Sequence, residues 1–206
     1  MPPRHSKPPR TTCQLRVALK GARPPIWRRF QVSPAMDLSG LHDVLQAVMG
    51  WHDSHLHMFI KRRRRFTLPS PWIDDPDPFG KPLFLDERKY RIAELLTREK
   101  DWMEYDYDFG DSWYHRITLQ KILPRDPAVR LPVCISGKRA CPPEDSGGIW
   151  GFHEMQAILA DLEHEEYEEM AEWLDPDFDP EAFSVEEVNV TLRAMFGHPL
   201  GPNCPD

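Results

Sequence analysis

Hydrophobic and polar residues alternate strictly near the start of the chain. From Thr12 to Lys20 the apolar residues occupy every second position, which is typical of a strand with one buried face. A turn containing Gly and Pro follows at 21–25, and Ile26–Val32 then places apolar residues in phase again. These two segments predict a β-hairpin with a longer loop.

The apolar spacing then changes from that of a strand to that of a helix. Asp37 is a suitable N-cap and Gly50 a suitable stop. Between them, apolar residues recur at helical intervals, at Leu41, Val44, Leu45 and Val48. Leu56–Ile60 alternates once more and predicts a strand. The basic run Lys61–Arg65 either continues this strand or forms its exposed end.

A second hairpin is predicted from Trp102–Phe109 and Trp113–Ile122, which flank a short polar turn. A two-residue loop would place Asp106 opposite His115, with Asp108 on the same face. A three-residue loop shifts the parity by one, and we favour it because it separates an apolar face from a polar face. The apolar face then contains Tyr105, Tyr107, Phe109, Trp113, His115, Ile117 and Leu119, and the polar face contains Asp106, Asp108, Tyr114, Arg116 and Thr118.

Helical periodicity dominates the C-terminal part of the chain. Apolar stripes that begin at Phe152 and Tyr167 predict two helices, and Ser184 begins a capping box that opens a last helix. The proline-rich segment 68–82 predicts a loop, and Arg91–Leu96 predicts a short helix.

These elements together predict an α+β fold. We expect a mostly antiparallel sheet with a β-grasp-like ββαβ start, a second hairpin and a helical C-terminal part. One domain should occupy residues 12–196. Residues 1–11 and 197–206 should form disordered tails, since they carry few residues that could build a core.

The composition is that of a soluble globular protein, with 40% hydrophobic and 29% charged residues among 206. No apolar run is long enough to span a membrane, and the basic, proline-rich N-terminus is not a secretory signal. We therefore expect a cytoplasmic protein with reduced cysteines. Cys134 and Cys141 flank a short turn and could approach each other, but no pair has C-x-x-C spacing.

Charge is distributed unevenly within the net charge of −7. Residues 1–65 contain 13 Lys/Arg and 3 Asp/Glu, whereas residues 66–206 contain 13 Lys/Arg and 30 Asp/Glu. Such asymmetry indicates either a side that faces a polyanion or two halves that pair with each other.

The basic residues of the N-terminal half are candidates for binding DNA or RNA. They lie on predicted strands with Trp27, Phe59 and Phe66 interleaved, which suits phosphate contact and base stacking, and Arg16 and Lys20 could join them. The candidates are Arg28, Arg29, Lys61, Arg62, Arg63, Arg64 and Arg65. The alternative is a charged strand end that prevents edge-to-edge aggregation.

A second set of candidates suits a divalent metal ion. His55 and His57 are two residues apart, so on a strand both would face the same side and could bind one ion. A third ligand could come from Glu144 or Asp145, in a loop stiffened by two prolines, or from Asp111. The metal candidates are therefore His55, His57, Glu144 and Asp145. The alternative is that both histidines lie on the outer face of the strand and that the carboxylates bond backbone amides at the following helix.

Further polar candidates lie in two strings of mixed residues, which suit shaped loops that carry function. The strings are Y-D-F-G-D-S-W-Y-H at Tyr107–His115 and C-P-P-E-D-S-G-G at Cys141–Gly148. Their candidates are Asp108, Asp111, His115 and Cys141. His115 could instead be a core histidine, and Asp111 could cap its own turn.

Four segments, in this order, resemble the plasmid pRiA4b ORF-3-like family. They are P-P-I-W-R-R-F-Q-V, L-H-D-V-L-Q-A-V-M-G-W-H-D-S-H-L-H-M-F, Y-D-F-G-D-S-W-Y-H and C-I-S-G-K-R-A-C-P-P-E-D-S-G-G-I-W-G-F, and the match spans about residues 12–196. The resemblance implies a fold and a bacterial mobile-element setting, in which members are described as transposon passenger proteins. It implies no reaction. The run at 61–65 is more basic than the family pattern.

The sequence favours a non-catalytic binding module in a mobile-element or nucleic-acid context. One alternative is a metal-dependent hydrolase that uses His55, His57 and the acidic loop. Another is a protein-interaction module, since residues 161–189 contain 13 Asp/Glu and no Lys/Arg and could dock a basic protein partner.

Overall fold

The computed structural model describes residues 9–69 and 83–197, and it confirms the α+β class. Its strands are β1 (Thr11–Leu19), β2 (Trp27–Val32), β3 (His57–Lys61), β4 (Arg64–Thr67), β5 (Leu85–Asp86), β6 (Trp102–Tyr107), β7 (Trp113–Pro124) and β8 (Val133–Lys138). Its α-helices are α1 (Leu38–Met49), α2 (Ile92–Leu95), α3 (Gly148–Leu159), α4 (Tyr167–Trp173) and α5 (Val185–Met195), and a 3-10 helix spans Glu87–Lys89. The helical C-terminal part is therefore confirmed.

The described strands form one sheet in the order β5-β4-β3-β6-β7-β1-β2-β8. Neighbouring strands are antiparallel except for β4 and β5, which are parallel. The ββαβ order predicted for the start occurs along the chain, but β6 and β7 separate β3 from β1. The two hairpins thus lie side by side in the middle of the sheet.

Helix α1 covers one face of this sheet, as its apolar spacing predicts. Asp37 Oδ1 accepts a hydrogen bond from Gly40 N at 2.8 Å, and Gly50 ends the helix with φ of 91°, so both predicted ends are confirmed. The apolar stripe of α1 joins the core with alternate residues of β1, such as Leu15 and Val17. We call this side of the sheet the covered face and the opposite side the open face.

The second hairpin has the predicted faces but a longer loop than predicted. Tyr105 pairs with His115, and Tyr107 pairs with Trp113, so the connecting loop is 108–112. This loop is odd in length, as the favoured three-residue loop is, and the predicted separation of apolar and polar faces along the paired strands is therefore right. Asp108 leaves the sheet with φ of 59° and is buried, and Phe109 belongs to the turn.

Three strands were not predicted: β4, the two-residue β5 and β8. The basic run does not simply continue β3, because a turn at Arg62 and Arg63 returns the chain as β4, with Lys61 paired to Arg64. Val133–Lys138 forms β8 along β2, although its Ser-Gly pair conceals the alternation.

Parts of the predicted boundaries lie outside the described residues. These are 1–8 and 198–206 in the predicted tails, and 70–82 in the predicted loop. Strand β1 begins at Thr11, one residue before the predicted domain start. No helix in the described ranges is long and apolar enough to cross a membrane.

Candidate functional site

The two polar strings are in direct contact with each other. Asp111 Oδ2 accepts a hydrogen bond from Gly147 N at 3.0 Å. Gly148 has φ of 68°, and a Cβ atom there would lie 2.3 Å from the carbonyl oxygen of Asp111. Glycine is therefore required at 148, since any side chain would both strain the backbone and collide with the first string. Asp111 is a clasp between the loops, which agrees with its structural alternative.

A hydrogen-bonded set joins both strings to the loop at 50–56. Tyr107 donates its hydroxyl proton to Glu144 Oε1 over 2.5 Å, and Ser54 N donates to the Tyr107 oxygen over 3.0 Å. Ser54 Oγ also lies 3.4 Å from Glu144 Oε2. Burial, together with the hydrogen bond to Glu144, raises the pKa of Tyr107 well above its usual value. The phenol thus remains a proton donor that orients the carboxylate.

His55 lies between two carboxylates beside this set. Its Nε2 is 3.3 Å from Asp145 Oδ1, and its Nδ1 is 3.7 Å from Asp108 Oδ2. One ligand atom from each of the three side chains lies within 4.8 Å of the others, a spacing suited to a metal ion. We call these residues the His55 group.

His57 belongs to a different, buried group. Its ring stacks on that of His42 at 3.5 Å, and its Nε2 lies 3.0 Å from Glu87 Oε2, which is fully buried. His42 in turn lies 2.8 Å from Asp53 Oδ1 and 2.8 Å from the Tyr105 hydroxyl. The structure therefore brings His55 together with Asp145 but places His57 elsewhere, and one ion held by both predicted histidines is not supported.

The buried group contains residues that the sequence analysis missed. His42, Asp53 and His57 could also surround a metal ion by distance alone. The signal for His42 was its position on α1, one residue after Leu41, at the edge of the apolar stripe. Burial, with a smaller contribution from neighbouring His57, lowers the pKa of His42 to about 4, so its imidazole is neutral at pH 7.

His115 and Cys141 are core residues rather than reactive groups. His115 has no exposed surface, and burial lowers its pKa to about 4. Burial raises the pKa of the Cys141 thiol far above its usual value and that of Cys134 to about 11. Both thiols are unpaired, as is Cys13. Protonated buried thiols are poor nucleophiles.

A cavity of about 710 Å³ lies next to Glu144 and extends beneath the C-terminal helices. Trp51 and Cys141 contribute to one wall, and Trp173 and Phe183 to another. Trp51 donates from Nε1 to the carbonyl of Pro142 at 3.0 Å, which fixes the floor of this cavity.

The structure separates the two adjacent arginine candidates on β2. Arg28 is 1% exposed and donates from Nε to the Val48 carbonyl at 2.7 Å and from Nη1 to the Lys138 carbonyl at 2.9 Å. Its guanidinium also lies 4.0 Å from the centre of the Phe183 ring. Arg28 therefore holds the end of α1 to the sheet and is not available to a phosphate, which corrects its place among the nucleic-acid candidates.

Arg29 lies on the open face beside an aromatic ring. Its Cζ is 5.6 Å from the centre of the Trp27 ring, and Arg16 Cζ is 5.2 Å from the same centre. Arg16 and Arg29 are paired directly across β1 and β2, so both side chains leave the same face. Arg29 Nε also donates to Gln120 Oε1 at 2.8 Å.

The same arrangement recurs on β6 and β7. Arg116 Cζ lies 4.1 Å from the centre of the Trp102 ring, which is 42% exposed. Lys20 Nζ lies 5.7 Å from the centre of the Tyr114 ring and 2.6 Å from Glu104 Oε1. The aromatic and basic side chains of the open face thus include Arg16, Lys20, Trp27, Arg29, Trp102, Tyr114 and Arg116. By their strand pairing, Arg65, Lys121 and Lys138 lie on this face as well. Asp106 lies among them, and burial raises its pKa to about 6.

The basic hairpin of β3 and β4 differs from this surface. Phe59 and Phe66, predicted as interleaved aromatic residues, have no exposed surface and belong to the core. Lys61 donates to the Trp102 carbonyl at 2.7 Å, and Arg64 lies over the rings of Phe66 and Tyr90. The hairpin therefore offers exposed charge at Arg62–Arg65, with Arg65 on the open-face side, but no exposed ring of its own.

The acidic segment 161–189 forms α4 and the start of α5, and most of its charged side chains are exposed. Among its described hydrogen bonds, many are local turns such as that from Glu181 N to Asp179 Oδ1. Docking of a basic protein partner here stays a prediction.

The chain is similar to proteins that carry no named activity. The family model described as plasmid pRiA4b ORF-3-like protein matches residues 11–187. The uncharacterized protein y4hQ of Sinorhizobium fredii is 37% identical over 180 residues, which cover 85% of this chain and 88% of that protein. The crystal structure of a protein of unknown function, MM3350 from Methanosarcina mazei Go1, matches with a TM-score of 0.76 and 38% identity, and covers 86% of this chain and 97% of the other.

Proposed function

From the premise that this chain belongs to the plasmid pRiA4b ORF-3-like family, we propose that it binds single-stranded nucleic acid on the open face of its sheet. One observation carries the proposal: two tryptophan rings on this face, Trp27 and Trp102, each have an arginine guanidinium beside them. Aromatic rings on which bases stack, combined with cations that follow the backbone, are the usual means of binding single strands.

The spacing of the two rings suits more than one base. Trp27 is on β2 and Trp102 on β6, with β1 and β7 between them. Neighbouring strands are about 4.8 Å apart, so the rings are separated by about 14 Å across the sheet. Arg16 and Arg116 occupy the two strands between the rings, where a phosphate backbone would pass.

The charges of this surface also favour a polyanion. Arg16, Lys20, Arg29 and Arg116 outnumber the carboxylates of Glu104 and Asp106 that share the open face. The strongly acidic segment 161–189 lies outside the strands that form the face. A net charge of −7 therefore does not prevent local binding of a polyanion, because the two signs are segregated.

The decisive experiment measures fluorescence anisotropy of a labelled oligonucleotide of about 12 residues, in DNA and RNA forms, with the full chain. We expect Trp27→Ala/Trp102→Ala to weaken binding by about 1–3 kcal/mol for each base that loses its stacking partner. Trp173→Ala is the matched control, since Trp173 is 50% exposed on α4, away from this face. Equal affinity of the double variant and the parent would contradict the proposal, as would absence of binding at low salt.

A second pair of variants separates the open face from the basic hairpin. Arg16→Gln/Arg29→Gln should lower the affinity and reduce the slope of log K against log salt by about 0.7 for each lost contact to a single strand. Arg62→Ala/Arg63→Ala should have the smaller effect, with Arg65 left unchanged because it pairs with Ile60 on the open face. The opposite ranking would place the binding site on the hairpin and overturn the assignment to the open face.

A further inference from the structure

We propose that the His55 group (His55, Asp108 and Asp145) is a binding site for one divalent transition-metal ion, independent of nucleic-acid binding. The three residues come from separate parts of the chain: the segment before β3, the segment after β6 and the loop before α3. Their ligand atoms nevertheless lie within 4.8 Å of one another. Sequence proximity therefore does not explain the convergence.

Both distances from His55 to the carboxylates are longer than those of charge-assisted hydrogen bonds. Charge-assisted N–H···O bonds are about 2.7–2.9 Å long. The His55 nitrogens are instead 3.3 Å from Asp145 Oδ1 and 3.7 Å from Asp108 Oδ2. One ion can take only one of these two nitrogens, so the relevant spacing is that of one ligand atom from each residue, and these lie within 4.8 Å of one another. Two ligands that are each about 2.1 Å from one ion are about 3.0–3.5 Å apart at octahedral and tetrahedral angles. Small shifts of the side chains would bring all three onto one ion.

The Nε2 nitrogen of the His55 ring has no hydrogen-bond partner in the part of the chain that the structure describes, and it could bind an ion within the His55 group. Nε2 is shielded from solvent and makes no hydrogen bond of acceptable geometry to any described residue. An imidazole nitrogen that is both shielded and unbonded is unfavourable, because it has lost water without gaining a partner. Coordination of an ion by Nε2 would remove this cost.

The chain neighbours of the three ligands form the support that a metal site requires. Each ligand is followed or preceded by a member of the hydrogen-bonded set: Ser54 before His55, Tyr107 before Asp108 and Glu144 before Asp145. The set forms a ring, since Ser54 N donates to the Tyr107 hydroxyl, Tyr107 donates to Glu144 and Ser54 Oγ lies 3.4 Å from Glu144 Oε2. The three ligand backbones are thus fixed relative to one another before an ion binds, which lowers the entropic cost of binding.

The buried imidazole pair is a poorer candidate on the same criteria. His42 has short contacts at both nitrogens, to Tyr105 and to Asp53, each at 2.8 Å. His57 Nε2 is already 3.0 Å from Glu87. An ion bound by His42 and His57 would have to displace these hydrogen bonds. An ion in the His55 group would instead give His55 Nε2 the partner that it lacks.

The ligand set indicates the class of metal. One imidazole and two carboxylates are suited to Zn²⁺, Mn²⁺ or Fe²⁺ and unsuited to metals that prefer thiolates. Three protein ligands leave positions for water or a substrate, as in catalytic rather than structural metal sites. Asp145 is 73% exposed, so the site opens towards solvent.

The test is calorimetric titration of the untagged full chain, stripped with a chelator, with Zn²⁺ and with Mn²⁺. We expect one ion per chain for at least one metal, and at least tenfold weaker binding in Asp145→Asn and in His55→Ala. His52→Ala is the matched control, because His52 is an exposed histidine of the same loop and is outside the group. Its affinity should equal that of the parent.

A second measurement uses the paramagnetism of Mn²⁺. In the proton spectrum of the histidine rings, sub-stoichiometric Mn²⁺ should broaden the His55 signals before those of His52 and His57. Absence of stoichiometric binding of either metal would overturn the proposal, and so would equal affinity of Asp145→Asn and the parent. Asp145→Asn alters an exposed side chain, so it remains informative even where His55→Ala fails to fold. Oligonucleotide anisotropy of Asp145→Asn should match the parent, which separates this site from the open face.

Discussion

The covered and open faces of the sheet use the same residue types in opposite ways, and Arg28 and Arg29 illustrate the difference. Arg28 points to the covered face, where backbone carbonyls and the Phe183 ring surround its guanidinium. Arg29 points to the open face, where its partners are Trp27 and Gln120 and water can reach it. Successive residues of β2 face opposite sides of the sheet, and this alternation alone decides whether a basic residue is buried in the fold or accessible to a ligand.

The same contrast holds for the histidines and carboxylates. On the covered side, His57 and Glu87 are paired with each other and shielded from solvent, so neither is available to a ligand. At the margin of that side, His55 lies between carboxylates without a hydrogen bond at Nε2. Chemistry available to a ligand is therefore expected at the margin and on the open face, not in the buried network.

The largest expected effect is the loss of folding stability in Arg28→Met. Removing the guanidinium leaves the carbonyls of Val48 and Lys138 without their donor, and we expect a loss of about 3 kcal/mol in the free energy of unfolding. Urea denaturation measures it. Arg29→Met is the control and should change this free energy by less than about 0.5 kcal/mol. Similar losses in the two variants would remove the distinction between the faces.

The second effect is a loss of stability in acid. The pKa of His42 is about 4 in the folded chain and about 6.5 in an unfolded chain, so the unfolded chain binds more protons between these values. The contribution of this residue to stability should therefore be complete well above pH 6.5, fall by about 2 kcal/mol at pH 5 and fall further towards pH 4. His115 contributes in the same direction.

Urea denaturation at a series of pH values checks this expectation in the parent and in His42→Asn. The variant lacks the titrating imidazole, so its stability should depend less steeply on pH. Identical pH profiles would show that burial of His42 does not contribute.

The third effect concerns binding rather than stability. Arg29→Met should weaken association with a single-stranded oligonucleotide by about 1 kcal/mol and lower the salt dependence by about one contact. Anisotropy at several salt concentrations measures both quantities. Weaker binding with an unchanged salt slope would show that Arg29 does not contact a phosphate.

The smallest effect is expected for the ion pair of Lys20 and Glu104. The distance is 2.6 Å, but half of the Lys20 side chain is exposed, so solvent screens the attraction. Lys20→Met should change the free energy of unfolding by less than about 0.5 kcal/mol. A thermal melt at low salt measures this change. A loss of stability near that of Arg28→Met would contradict the contrast between the covered and open faces.

Much of the fold followed from periodicity. The α1 ends at Asp37 and Gly50 and the faces of the second hairpin were predictable, because each rests on a local pattern with a physical cause. The burial of Arg28 was also visible, since it lies two residues from Ile26 and from Phe30, which are both core residues. The charge of Arg28 suggested a phosphate contact, whereas its position in the alternation of β2 predicts burial.

The site was only partly predictable. The alternation rule applied to His55 and His57 fails because β3 begins at His57, and His55 lies in the preceding bend. Asp145 was chosen correctly as a neighbour of His55, but Asp108 joined them only through the turn that its left-handed backbone makes. Contacts between distant loops, such as Gly148 against Asp111, have no local signal.

Trp51 is a fluorescent probe of the contact between the loop at 50–56 and the loop at Cys141–Gly148. Its indole is 7% exposed, stacks on Tyr107 with centroids 4.9 Å apart and donates to the carbonyl of Pro142. A shielded indole with these neighbours emits at short wavelength, and its emission is sensitive to displacement of either loop. The difference spectrum between the parent and Trp51→Phe therefore isolates one intrinsic reporter among seven tryptophans, which follows the loops without any attached dye.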